Sequence, residues 1–375
     1  MPKKLFSFFS GSGFLDLGFE TNDFEVVYVN EYHQPFLDAY KHSRQKMQID
    51  EPIYGFDNTS IEDIASDKVL LDRLIANVAE QKRLGHLTGF IGGPPCPDFS
   101  IGGKNKGKEG ENGKLTQTYC EVVCNSKPDF FLFENVKGLW RTARHKEFYD
   151  EIRARYKKAG YLLSDRLTNS LEFGAPQDRD RVILLGFHKS AILDNNIKTE
   201  KTLKSALRWN QYLKFDLDEI FKYPWPDRTH YVENLHTEAP KEIPVELTVE
   251  YWFRKNDVVN HSNASHHFVP RAALPRFQTI DEGDDGKKSF KRLHRWRYSP
   301  TAAYGNNEVH IHPYLPRRIS AAEALAIQSL PKRFELPVDM SLSNMFKTIG
   351  NGVPYLMASG IALITRDFLN EYCTE

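Results

Sequence analysis

The 375-residue chain predicts an α/β fold, a sheet-and-helix domain joined to a smaller domain of irregular β structure and loops. Three observations carry that expectation. Short apolar runs at 4–10, 25–29, 53–56, 87–91, 129–133, 161–167 and 182–187 are separated by turns and by helix-length segments. Several of these runs end in glycine, proline or a carboxylate, where a parallel sheet presents its chemistry. Beyond His188 the periodicity fades, Pro and His become frequent, and Trp209, Trp225, Trp252 and Trp296 all fall before Pro313.

Composition narrows the classes. Lys plus Arg is 50 and Asp plus Glu is 50, so net charge gives no hint of a polyanionic partner, and any such argument must be local. The four cysteines (Cys96, Cys120, Cys124, Cys373) have neither disulfide-framework nor zinc spacing. Cys120 and Cys124 lie one helical turn apart and read as core-facing. No signal peptide and no apolar run of membrane-spanning length is apparent, which predicts a soluble, intracellular protein.

The first strand, 4–10, runs into Gly11-Ser12-Gly13-Phe14 and a short helix. Glycines there let backbone approach a ligand, as in a nucleotide-type cofactor loop; an ordinary strand-to-helix turn reads the same way. The second strand ends at Asn30-Glu31, where a carboxylate can take a ribose diol. A third strand is expected at 53–56, and a helix over 67–84 with Leu70, Leu71, Leu74, Ile75 and Val78 on one face.

The strand at 87–91 delivers Gly92-Gly93-Pro94-Pro95-Cys96-Pro97-Asp98-Phe99-Ser100. Glycine and proline fix a tight turn at a strand's carboxyl end. A thiolate placed there is a strong nucleophile, although a small buried cysteine in a Gly/Pro loop fits this stretch equally. Residues 101–114 are rich in Gly and Lys, including Lys104 and Lys106. They read as a surface loop or as a lid whose lysines meet phosphates. A helix follows at 115–126.

The strand at 129–133 ends in Glu134-Asn135-Val136, a carboxylate beside the candidate nucleophile's strand and therefore suited to acid–base work. A helix is expected over 145–159, closed by Gly160. After 161–167 comes Gln177-Asp178-Arg179-Asp180-Arg181, in which the arginines alternate onto one face as a salt-bridged edge or as a fork for carbonyl or phosphate oxygens. In the irregular segment, Lys291, Arg292, Arg295 and Arg297 interleave with His294 and Trp296, a pattern suited to a nucleic-acid backbone or to a solvated loop. His310-x-His312 and His266-His267 lack an evident third ligand, so no metal is expected. Ser320-Ala-Ala-Glu323 is a capping box opening a helix to about Leu330. Gly350-Asn351-Gly352-Val353-Pro354 leads into a last helix ending near Glu371.

Taken in order, these stretches resemble the DNA (cytosine-5)-methyltransferase family, over about residues 4–370 apart from the variable segment near 190–312. The matching stretches are Phe9-Ser10-Gly11-Ser12-Gly13, Gly92 to Ser100, Phe133-Glu134-Asn135-Val136, Gln177-x-Arg179-x-Arg181, Arg318 to Gln328, and Gly350 to Pro354. The resemblance implies a Rossmann-like domain binding S-adenosyl-L-methionine over 1–188. It implies a target-recognition domain over 189–315, and a 316–375 segment packing back onto the first. Double-stranded DNA would lie between the two domains. Cys96 would attack carbon 6 of a flipped cytosine, Glu134 would hold its nitrogen 3 edge, Arg179 its carbonyl oxygen, and Arg181 would support them.

The family pattern also assigns the cofactor and the DNA. Phe9, Gly11, Ser12, Gly13, Glu31, Tyr32, Ser60, Ile61, Pro95, Leu115, Asn351 and Gly352 would surround S-adenosylmethionine. Ser100, Lys104, Lys106, Lys291, Arg292, Arg295 and Arg297 would face DNA. The chain departs from the family at Ser7 and Ser60, where aspartate is usual, and at Phe14 and Pro97. A cytoplasmic, bacterial or phage-encoded monomer paired with a restriction endonuclease is the implied setting. Methylation of tRNA and a catalytically silent DNA-binding relative are the alternatives. A NAD-dependent dehydrogenase would have no use for Pro95-Cys96 together with Glu134-Asn135.

Overall fold

The computed structural model describes residues 1–95, 111–141, 143–270, 274–287, 289–302, 304 and 309–374, except for the side chains of 111, 112, 141, 143 and 144. Its framework is a seven-stranded sheet: β1 (Lys3–Phe8), β2 (Phe24–Asn30), β3 (Phe56–Asp57), β4 (Leu87–Gly92), β5 (Phe130–Val136), β6 (Tyr161–Asn169) and β7 (Asp180–His188), in the order β3-β2-β1-β4-β5-β7-β6. Strands β3 to β5 run parallel; β7 inserts antiparallel between β5 and β6. Period-two alternation fills both faces. Leu5, Phe130 and Leu132 enter one core, whereas Phe6, Phe8, Phe131 and Phe133 enter the other.

The helices before the sheet ends are α1 (Phe14–Glu20), α2 (Gln34–Met47), α3 (Ile61–Ser66), α4 (Lys68–Arg83), α5 (Glu111–Ser126), α6 (Gly138–Arg141) and α7 (Ala143–Lys158). After it come α8 (Glu200–Ala206), α9 (Leu217–Ile220), α10 (Val249–Lys255), α11 (Leu274–Phe277), α12 (Ala321–Ile327), α13 (Leu342–Asn351) and α14 (Tyr355–Tyr372). Helices α4, α5 and α7 cover one face through Leu74, Val78, Val122, Val123, Phe148 and Ile152. Helices α1, α2 and α14 cover the other through Leu15, Phe19, Leu37, Tyr40, Ile361 and Phe368. A Cβ on Gly18 would lie 2.5 Å from the Ala358 Cβ, so only glycine lets α1 approach α14 this closely. Among the described residues, no helix is long and apolar enough to cross a membrane.

Several elements differ from the sequence expectation. The strand expected at 53–56 contracts to Phe56–Asp57, because Gly55 turns with φ +76° and donates back to the Pro52 carbonyl. Helix α2 was not anticipated; its apolar positions Phe36, Leu37 and Tyr40 are buried and Pro35 sits in its first turn. Gly350 and Asn351, expected only to lead into the last helix, end a helix of their own, α13, and Pro354 caps α14. Cys120 is buried as expected, but Cys124 is only partly so.

The chain does not leave the sheet domain at 189. Ile197, Leu203, Leu207 and Trp209 share a core with Phe187 and Phe368, and the Trp209 indole donates to the Ser164 hydroxyl at 2.9 Å. Beyond about 213 the described residues up to Ser320 form short helices and isolated bridges, Thr229 with Glu282, Arg292 with Ile311, and Ile311 with Arg318. Even this region is not a separate core, since Val249, Trp252 and Phe253 of α10 cluster with Leu325 and Ile327 of α12 and with Phe14.

Candidate active site

Carboxyl ends of β1, β4 and β5 meet in register: Gly92 pairs with Phe8 on one side and with Phe133 on the other. The chain therefore leaves β4 directly beside Glu134. A Cβ on Gly93 would lie 2.5 Å from Glu134 Oε2, so a side chain at 93 would displace the loop or the carboxylate. Cys96, Ser100, Lys104 and Lys106 lie outside the described residues. Pro95, whose carbonyl carbon is bonded to the Cys96 nitrogen, is exposed at the end of this stretch.

Three of the expected side chains come together. Antiparallel pairing sets Arg181 opposite Val136, and its Nε reaches Glu134 Oε1 at 2.6 Å. Arg179 is buried; its guanidinium donates to the Ala302 carbonyl at 3.0 Å and the Gly350 carbonyl at 2.9 Å, which ties the β7 entrance to α13. Burial, and then the Arg181 charge, push the Arg179 guanidinium below its ordinary range, with Glu134 opposing. Gln177 fixes the same segment by accepting from the Ala302 N–H at 3.0 Å. The result is one carboxylate and two guanidinium groups at a strand end, a donor-and-acceptor set for a planar polar ring.

On the other side of β1 lies the glycine turn. Gly11 and Gly13 have φ of +56° and +80°, conformations that suit glycine. Glu31 is held by two backbone donors, Gly11 N–H to Oε2 and His33 N–H to Oε1, both at 2.8 Å. Burial raises the Glu31 pKa and those donors oppose the rise. The Asn58 amide donates to the Glu31 and Tyr32 carbonyls at 2.8 and 2.7 Å, and Tyr32 itself is 72% exposed. Ser60 caps α3 by accepting from the Glu62 N–H at 3.2 Å. Ile61 and Leu115 border the core that holds Tyr28, and Phe9 packs against it with φ 53°. From the far end of the chain, Thr348 meets the Ser12 hydroxyl at 2.7 Å; Asn351 and Gly352 close α13, with Gly352 against the Phe14 ring.

These residues fit the nucleoside-type cofactor that the sequence resemblance implies. A Cβ at Gly11 would meet only Thr348, at 3.8 Å, so the turn has open space beside it. The Ser10 hydroxyl is buried without a partner, and the Glu31 carboxylate is fixed where a diol would donate.

The DNA-facing assignments fare differently. Arg292 is fully buried and donates to the carbonyls of Phe277, Ile280, His312, Pro313 and Leu315. Arg295 is buried in a two-point ion pair with Glu282, Nε to Oε1 and Nη2 to Oε2, each 2.8 Å. Both are consumed inside the protein, which corrects the expectation that they face DNA. Lys291 and Arg297 remain partly exposed. His310 and His312 are buried, and burial pushes both down to about 3. Among the described residues no group of three or more His, Cys, Asp or Glu is placed to hold a metal.

Sequence reading did not single out Arg44, Asn58 and Thr348, which contact the Gly11–Gly13 turn and the Glu31 and Tyr32 backbone. Asn58 follows a strand end and so carried a weak positional signal. Arg44 looked like one more charge on an unrecognised helix.

Comparison with known proteins bears on the whole chain. The family described as C-5 cytosine-specific DNA methylase matches residues 3–364. Type II methyltransferase M.NmeDI of Neisseria meningitidis serogroup C is 56% identical over 374 residues, covering 98% of this chain and 84% of that protein. Type II methyltransferase M.FnuDI of Fusobacterium nucleatum is 28% identical, covering 98% and 95%. Among solved structures, a putative DNA modification methyltransferase from an Escherichia coli prophage superposes with TM-score 0.64 at 21% identity, covering 98% of this chain and 99% of that one. Dnmt2 methyltransferase of S. pombe does so with TM-score 0.56 at 13% identity, covering 98% and 99%. These structures share the fold.

Proposed function

The chain belongs to the C-5 cytosine-specific DNA methylase family, and we propose that it methylates carbon 5 of a cytosine flipped out of double-stranded DNA, through a covalent adduct on Cys96. The observation that carries this reading is the Glu134–Arg181 pair, set at the end of β5 directly beside the loop that leads to Cys96.

Carbon 5 of cytosine is a weak nucleophile until carbon 6 is attacked. The Cys96 thiolate makes that bond, and carbon 5 becomes enamine-like. Glu134 accepts from the exocyclic amine and holds the nitrogen 3 edge as charge develops there. Arg181 keeps the carboxylate oriented. Arg179, anchored on Ala302 and Gly350, supports the carbonyl-oxygen side of the ring. Once carbon 5 carries the methyl group, a base removes the carbon 5 proton, and the thiolate leaves as the ring is restored. A base inside a duplex is out of reach, hence the flipping.

Glu31, the Gly11–Gly13 turn, Ser12, Tyr32 and Asn351 hold S-adenosyl-L-methionine, which when bound supplies an electrophilic methyl group. The similarity to type II methyltransferases supports a restriction-modification setting with a cognate endonuclease.

The test is methyl transfer from labelled S-adenosylmethionine to unmethylated genomic DNA and, in parallel, to bulk tRNA, with bisulfite mapping. Label in DNA at one short recurring sequence is expected. Label in tRNA alone overturns the DNA assignment, and no label in either overturns the enzyme reading.

A further inference from the structure

We propose that Arg44 is a positioning residue for the cofactor turn, holding the Gly13 carbonyl from behind so that Gly11 and Ser12 keep the shape that receives S-adenosylmethionine. The proposal rests on the cofactor reading above. Arg44 lies on α2 and is buried. Its Nη2 donates to the Gly13 carbonyl at 2.7 Å and pairs with Glu20 Oε2 at 2.8 Å. Its guanidinium carbon sits 4.2 Å from the centre of the Tyr40 ring.

Together Tyr40 and Arg44 wall off Gly13. A Cβ at Gly13 would come within 2.5 Å of the Tyr40 ring and 2.6 Å of Arg44 Nη2. The left-handed conformation of Gly13 and the guanidinium behind it therefore fit one another, and neither tolerates a larger residue at 13. The turn is held from three sides. Glu31, just after β2, accepts from Gly11, Thr348 of α13 meets Ser12, and Arg44 of α2 grips Gly13. Arg44 is buried and reaches the turn only at the Gly13 carbonyl, so it acts through the backbone.

Charge around Arg44 is unevenly matched. Asp16 is fully buried beside it, so two carboxylates, Asp16 and Glu20, face one guanidinium. Burial pushes the Asp16 carboxyl up to about 6; Glu20 adds to the rise, whereas Arg44 and the Ser7 and Tyr40 hydroxyls oppose it.

The experiment is equilibrium titration of the full chain with S-adenosylmethionine by calorimetry, for wild type, Arg44→Lys, Arg44→Met and Glu20→Gln, with melting temperature and the kcat and KM for cofactor and for DNA. Arg44→Met is expected to weaken cofactor binding by about 10-fold or more, as for loss of a charge-assisted hydrogen bond, with kcat at saturating cofactor and KM for DNA little changed. Arg44→Lys should recover part of the affinity, because an ammonium can still donate to the Gly13 carbonyl but lacks the planar group that lies against the Tyr40 ring. Glu20→Gln should lower the melting temperature and keep the affinity. Wild type that binds no cofactor overturns the cofactor reading and this proposal together. Wild type that binds, with Arg44→Met binding equally well, overturns the proposal alone. If Arg44→Met does not fold, Arg44→Lys and Glu20→Gln decide it: equal loss of cofactor affinity in both makes Arg44 merely structural.

Discussion

Glu134–Arg181 and Glu282–Arg295 are both carboxylate–guanidinium pairs, the second buried and the first less so, and only the first lies beside the loop that leads to Cys96. Arg295 meets Glu282 through two nitrogens, its backbone N–H adds a third donor to the same carboxylate, and a further guanidinium nitrogen goes to the Leu235 carbonyl. Both carboxylate oxygens and all three guanidinium nitrogens are engaged inside the protein. Arg181 meets Glu134 Oε1 through Nε, and the second carboxylate oxygen is turned toward the loop after β4. The difference shows how residue types that look alike in sequence divide into fastening and chemistry. A saturated pair fixes a fold; a pair with a spare lone pair at a strand end can still accept a hydrogen bond from a substrate.

That contrast can be broken most sharply at Glu134. Glu134→Gln is expected to slow methyl transfer by about 10² to 10⁴-fold with the melting temperature held, as for loss of a group acting in proton chemistry. An unchanged rate would make Glu134 another fastener. Glu282→Gln should do the reverse. Removing one partner of a buried pair costs about 3 to 5 kcal/mol, so denaturant unfolding should shift strongly while the rate per folded molecule stays the same. A selective rate loss there would erase the distinction.

A third case, Asp16, sharpens it through pH. Its carboxyl titrates near 6 when folded, against an ordinary value of 3.8. Between those values the folded chain holds more protons than the unfolded one, so stability falls as pH rises through about 4 to 6 and then levels. The full span is worth up to about 3 kcal/mol, and Asp16→Asn should flatten it in pH-dependent urea unfolding. The smallest effect is expected at Thr348→Val, which removes the hydroxyl contact to Ser12 and should cost about 1 kcal/mol of stability.

The parts of the molecule legible in sequence are those where local pattern and tertiary position agree. Apolar strands running into Gly92, Glu134-Asn135-Val136 and Asn30-Glu31 are such places, because strand period and breaker residues are written locally. The Ser320–Glu323 capping box is another, with both reciprocal hydrogen bonds formed. What was not legible depends on partners far along the chain. Arg292 looks like a basic-patch residue until the carbonyls of Phe277 and His312 fold around it. Arg44 acquires its role from Gly13, and Trp209 joins the sheet's core through Ser164. A charge in a sequence does not say whether it will meet solvent, substrate or a buried carbonyl.

The most direct measurement uses a DNA duplex containing the methylated sequence with 5-fluorocytosine at the target position. Fluorine at carbon 5 cannot leave as a proton does, so an adduct through Cys96 should persist after methyl transfer. The account predicts a protein–DNA complex that survives denaturing electrophoresis for wild type with S-adenosylmethionine, is absent for Cys96→Ala, and forms much more slowly for Glu134→Gln. An undiminished covalent complex with Cys96→Ala, or none with a wild-type protein that methylates the unfluorinated duplex, would contradict it.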